Sequence, residues 1–174
     1  MEAFDRRVPP SPAGALPVVT FNDAVTFHLN GDEIGVFHVA SAHTDGDAIV
    51  WFRTSGVVHM GDTFFNGGYP FIDLSSGGSV DGMIAACTRV LDLTDGDAKI
   101  VPGHGPLADR AALQRYRDML VTIRDRVRPM VDAGRSFDEV VAANPSREFD
   151  EAWGSGFVNP HDFLSSVYQS LKTG

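Results

Sequence analysis

Val57-Val58-His59-Met60-Gly61-Asp62-Thr63-Phe64-Phe65 is the stretch at which the pattern of the chain changes. Before it lie short β-rich runs, Val18 to Phe21, Ala24 to Leu29, Ile34 to Val39, Ala48 to Phe52 and Val57 to Met60, with turn chemistry such as Asn22-Asp23 and Asn30-Gly31-Asp32 between them. These predict a meander of antiparallel strands. After Met60 the apolar period becomes helical. Val80, Met83, Ile84, Cys87, Val90 and Leu91 recur at helical spacing behind Ser79, whose hydroxyl suits an N-cap. A short strand is expected at Lys99 to Val101. A second helix is expected on Leu113, Tyr116, Leu120, Ile123, Val127 and Met130, capped by Asp109 and kinked or ended by Pro129. The tail predicts a short helix near Phe137 to Ala143 and a last one near Asp162 to Leu171, joined by an irregular stretch containing Trp153 and Gly154.

The bulk properties narrow the function classes. The 174 residues are 43% hydrophobic and 21% charged, ordinary for one globular domain. Residues 1–17 read as a proline-rich connector, because four prolines between Arg6 and Pro17 favour an extended path, and residues 18–174 as the domain. Twenty-three acidic against fourteen basic residues leave a net charge of −9, which argues against nucleic acid as a partner. The single cysteine, Cys87, excludes an internal disulfide and a cysteine-rich zinc site, so any metal must use His and carboxylates. No run approaches the roughly 20 apolar residues of a membrane span, and the first residues carry charges where a signal peptide needs an apolar run. Neither membrane attachment nor a compartment is indicated.

Three segments each place a metal-competent side chain in a glycine-bearing turn beside a predicted strand. Ala42-His43-Thr44-Asp45-Gly46-Asp47 sets an imidazole before the strand at Ala48, with Gly46 expected to permit close backbone approach. In the opening stretch, Gly61 is expected to end the strand so that Asp62 projects from it, where two carboxylate oxygens would bridge a pair of cations. In Val101-Pro102-Gly103-His104-Gly105-Pro106, glycines on both sides of His104 let the backbone take positive φ, and prolines stiffen the excursion.

In this order, and 19 and 42 positions apart, these segments resemble the later metal-binding motifs of the metallo-β-lactamase superfamily: the H-T-x-G-D turn, the bridging G-D aspartate and the P-G-H-G-P loop. The resemblance runs from about Pro17 onward. It implies an α+β fold, the αββα sandwich, of which this chain gives one mainly antiparallel sheet with covering helices. It also implies that His43 is a ligand of a first Zn2+, Asp62 the bridging ligand and His104 a ligand of a second. The superfamily's earlier H-x-H-x-D-H motif has no counterpart here, since His28 and His38 are ten apart and neither is followed by Asp-His. The expectation is therefore a C-terminal half of a zinc-dependent hydrolase, one that attacks an ester, thioester, amide or related bond of a small-molecule substrate with metal-activated water. Alone it should bind metal weakly or in part and be inactive, because tetrahedral zinc takes about four donors. No catalytic residue is assigned. The alternatives are a non-catalytic binding or assembly module on a residual scaffold, or one chain of a split enzyme. Either self-association or capture of a complementary N-terminal half is expected, because the sheet face that such a half covers would be bare.

The remaining candidates have plainer readings. His28 belongs on a solvated strand face and His38 on a hydrogen-bonded core position. His59 is close enough in sequence to Asp62 to line the pocket, His161 is a surface residue, and Cys87 is a small buried hydrophobe. Thr44 and Asp47 are expected to brace the His43 turn.

Overall fold

The computed structural model describes residues 9–173, so residues 1–8 of the expected connector lie outside the described residues. Residues 9–20 are exposed and hold a single 3-10 turn at Ala13–Ala15. Six strands form one sheet in chain order: β1 (Ala24–Leu29), β2 (Asp32–Val39), β3 (Asp47–Phe52), β4 (Val57–Phe65), β5 (Lys99–His104) and β6 (Ala108–Asp109). The first four make the antiparallel meander that the turn residues predict. The chain then crosses over through helix α1 (Val80–Leu93), so β5 joins β4 in parallel, and β6 closes the edge antiparallel to β5. A parallel neighbour requires such a crossover. Helices α2 (Arg110–Asp132), α3 (Phe137–Ala143), α4 (Arg147–Trp153) and α5 (Pro160–Thr173) follow. Among the described residues, no helix is long and apolar enough to cross a membrane.

Both predicted caps form: the Ser79 side chain accepts from the Gly82 N–H, and that of Asp109 from the Ala112 N–H. Each satisfies a donor that the first helical turn leaves free. Pro129 sits inside α2, which ends at Asp132 within a turn of it, as expected of a residue that has no N–H to donate to the carbonyl four positions back. The core lies between the sheet and the helices. Phe37, Ile49, Val58, Met60 and Ile100 are buried from the sheet, and Met83, Cys87, Leu113, Tyr116, Leu120, Ile123, Phe163 and Val167 from α1, α2 and α5.

Several expectations are corrected. Val18 to Phe21 is not a strand: Val18 is fully exposed and the run pairs with nothing in the sheet. β4 does not stop at Met60 but continues through Gly61 and Asp62 to Phe65, with register shifts against β5 between His59 and Phe65. The stretch around Trp153 is helical in α4, whose Phe149 and Trp153 pack against the core.

The opposite face of the sheet has no layer over it among the described residues. Register places Val25, Val36 and Val50 in one row across β1 to β3, and Phe27, Ile34, Phe52 and Val57 in the next. All of these are half-buried except Phe27, which is 42% exposed, and Leu29 at the strand end is 58% exposed. His38 and His59 lie on this face too. His38 is half-buried and hydrogen-bonds through Nε2 to the Asp45 carbonyl at 2.7 Å, so it is partnered but is not a core residue.

Candidate functional site

Asp62 stands where β4 bulges away from β5. Gly61 takes a φ of 54°, and the register slips between Gly61 and Phe65. Such a bulge re-aims the next side chain. The carboxylate thereby comes between two imidazoles: Oδ2 is 3.6 Å from Nε2 of His43, and Oδ1 is 3.4 Å from Nε2 of His104. The three residues that the motifs single out share one rim.

Each imidazole is held from behind. His43 donates from Nδ1 to the Phe71 carbonyl oxygen at 2.8 Å, which leaves Nε2 of the neutral ring as the acceptor facing Asp62. Its turn is clamped on the other side by the start of α1: Ser79 N–H donates to the Ala42 carbonyl at 2.9 Å and Ser79 Oγ to the Ser41 carbonyl at 2.7 Å. Asp47 accepts from both the N–H and the hydroxyl of Thr44, bracing the turn as expected. Gly46, by contrast, has open space around it, so close approach does not explain it. His104 is more exposed, and its ring stacks on Phe65 at 4.8 Å between centroids and 21° between planes. Asn66 ties its loop down, with the Asn66 N–H donating to the His104 carbonyl and Nδ2 to the Pro106 carbonyl, both at 2.9 Å.

The two glycines of this loop have different roles. Gly105 takes a φ of 96°, but Gly103 does not enter the left-handed region. Gly103 is required for another reason: a Cβ there would run into the Asp62 carboxylate and the Gly61 backbone.

A cavity of about 510 Å³ opens beside the three residues. Phe65, Tyr69, Phe71 and Phe157 supply its aromatic surface, and Gly67, Gly68 and Gly156 leave part of its wall without side chains. Tyr69 anchors the 66–71 loop: its N–H donates to the Trp153 carbonyl and its hydroxyl to Asp150, both at 2.9 Å, and its ring stacks on Phe163 at 4.4 Å. Burial and the adjacent Asp150 carboxylate push the Tyr69 hydroxyl well above its ordinary pKa, so it remains a donor. Sequence reasoning missed Phe71, Phe157 and the glycines. The Asn66-Gly67-Gly68 run marks a turn, but nothing in the order of residues brings position 157 to position 71. His59 is not part of the cavity; it is exposed on the bare sheet face, and its Nδ1 accepts from the Gly61 N–H at 3.2 Å. Cys87 is fully buried, and desolvation raises its thiol far above the ordinary range, which removes it as a nucleophile.

A sequence model of the metallo-beta-lactamase superfamily matches residues 2–106, which include all three rim residues. The chain belongs to that superfamily. Among solved structures it resembles a metallo-beta-lactamase from Pontibacter korlensis at 20% identity and a TM-score of 0.50, covering 60% of this chain and 48% of that one. It also resembles a sec-alkylsulfatase from Pseudomonas sp. at 18% identity and a TM-score of 0.64, covering 87% of this chain and 26% of that one. At such identities the likeness is one of fold. The chain spans about half or less of the length of these proteins. No curated protein matches the sequence. The family match ends at residue 106, short of the reach that the motifs suggested, while the fold likeness continues into the helices.

Members of the superfamily generally bind metal ions, and the scaffold is metallohydrolase-like. The donor set fits such ions in part. Among the described residues no group of three or more His, Cys, Asp or Glu side chains is arranged to hold a single ion. Asp62 instead offers one oxygen toward each imidazole, which makes two half-sites of two donors.

Proposed function

We propose that this chain carries part of a dinuclear zinc centre of a hydrolase, with Asp62 bridging two ions, His43 toward one and His104 toward the other. The observation that supports this reading is the placement of the carboxylate, one oxygen facing each Nε2 at 3.6 and 3.4 Å. An aspartate serving only as a turn cap has no need of two imidazoles on opposite oxygens. Bound ions of this kind supply Lewis acidity and a nucleophilic water near neutral pH, suited to an ester, thioester, amide or related bond. The chain's own residues position the donors: Phe71 fixes the His43 tautomer, and Phe65 supports the His104 ring.

Two donors per ion fall short of the three protein ligands usual at a catalytic zinc. The remaining donors would come from a complementary segment that covers the bare sheet face, either an N-terminal half or a second polypeptide, and without it this chain binds zinc weakly and does not turn over. The same donor count favours a second reading, a non-catalytic module that keeps the scaffold without metal.

Elemental analysis of the chain after equilibration with zinc, and again with Asp62→Asn and His104→Ala, separates the two. Metal in the parent that falls in both variants supports the zinc centre. Equal and negligible metal in all three supports the non-catalytic module.

A further inference from the structure

We propose that the cavity beside Asp62 receives a neutral aryl group of the substrate and that Phe157 holds it there. This deepens the hydrolase reading and rests on it for the bond that is cleaved, but the binding of the ring itself does not need metal.

The walls argue for the class. Among the described residues, the ionisable ones that line the cavity are Asp62, His43 and His104 at one end, with Tyr69, whose hydroxyl is already turned to Asp150, and no lysine or arginine lines it. In the metal-free chain an anionic tail finds no cation among the described lining residues, and it meets the Asp62 carboxylate and a chain of net charge −9. Aromatic surface and a volume of about 510 Å³ suit a compact apolar group.

The free space has the right form as well. A Cβ built on Gly67 or Gly68 would meet nothing within 4 Å, and one on Gly156 only the Gly68 Cα at 3.7 Å, so a ring can lie against bare backbone. Phe157 stands at this mouth 77% exposed, its ring edge-on to Phe71 at 6.5 Å. A phenylalanine that is both so exposed and beside an apolar hollow gains contact area when a second ring enters, and edge-to-face geometry is the arrangement aromatic rings prefer.

The test is an NMR titration of the 15N-labelled chain with N-benzylacetamide in excess EDTA, and with benzoate as an anion of similar ring size. The expected result is saturable shifts at Gly67, Gly68, Phe71, Gly156 and Phe157, with benzoate bound about tenfold more weakly. Phe157→Ala is expected to weaken N-benzylacetamide about fivefold, and Gly156→Leu, which fills the mouth, to abolish the shifts. Phe157 is 77% exposed, and the far-UV circular dichroism of Phe157→Ala checks that the fold is kept. No shifts, shifts elsewhere, benzoate binding as tightly, or an unchanged affinity in Phe157→Ala each overturn the proposal. Because chelator is present throughout, these outcomes are independent of the zinc measurement: ring binding without zinc uptake sinks the metal centre alone, and zinc uptake without ring binding sinks this assignment alone.

Discussion

The Nδ1 of His43 lies 2.8 Å from the main-chain oxygen of Phe71. A carbonyl only accepts, so the proton of the neutral ring is on Nδ1. The 15N shifts of the His43 imidazole are expected to report the Nδ1–H tautomer, and the resonance is identified by its loss in His43→Ala. Finding the Nε2–H tautomer would contradict the arrangement at the rim.

Gly103→Ala is expected to push the His104 loop away from β4, since the added methyl has no room beside Asp62 and Gly61. Overpacking of this kind costs roughly 1–3 kcal/mol. Chemical denaturation measures the loss, and amide shifts at Asn66 and Gly105 should move with it. Gly46→Ala is the control, because its surroundings are open.

Acid should loosen the start of α3. Hydrogen bonding from the Ser136 backbone, then from the Arg135 side chain, holds the Glu139 carboxyl below its ordinary value of 4.5. A depressed folded value means that the stabilisation is full above pH 4.5 and is lost as pH falls through the lowered value. Glu139→Gln is expected to flatten that acid limb in a thermal-unfolding series between neutral pH and about pH 2 while leaving the rest of the profile in place.

The bare sheet face should make the chain self-associate. Its apolar rows across β1 to β4 include Phe27 at 42% exposure, and contiguous apolar surface of this kind drives contact in water. Size-exclusion chromatography with light scattering is expected to show mass rising with concentration, and Phe27→Glu to suppress it. A parent that stays monomeric at all concentrations would show that the face needs no cover.

Much of this architecture could be read from local pattern. The N-caps Ser79 and Asp109 and the four-strand meander follow from residue types a few positions apart. What escaped depends on partners distant in the chain. Asp62 sits within a strand rather than past its end because β5, some forty residues later, supplies a parallel neighbour to extend β4. β6 has only two residues, and α4 only Phe149 and Trp153 as apolar anchors, too few to show a period. Strand alternation groups His38 with Ile34 and Val36 without saying which face is covered, and the nearness of His59 to Asp62 in sequence does not say to which side its ring turns. The rim residues were legible as motifs, whereas the cavity wall was not, since Phe71 and Phe157 meet only through the docking of α4 and Tyr69.

That wall is assembled from two stretches of unlike standing. Asp62 and its imidazoles lie before residue 106, inside the span shared with the superfamily, whereas Phe157 hangs from the connector between α4 and α5, beyond it. On the proposed reading the metal donors and most of the wall thus belong to the shared span, and Gly156 and Phe157 complete the wall from outside it. Val158 is buried in the core, Asn159 accepts from the Asp162 N–H at the start of α5, and Gly154 has no room for a side chain, so on the proposed reading only residues 155–157 of this connector can be changed to alter what the cavity accepts.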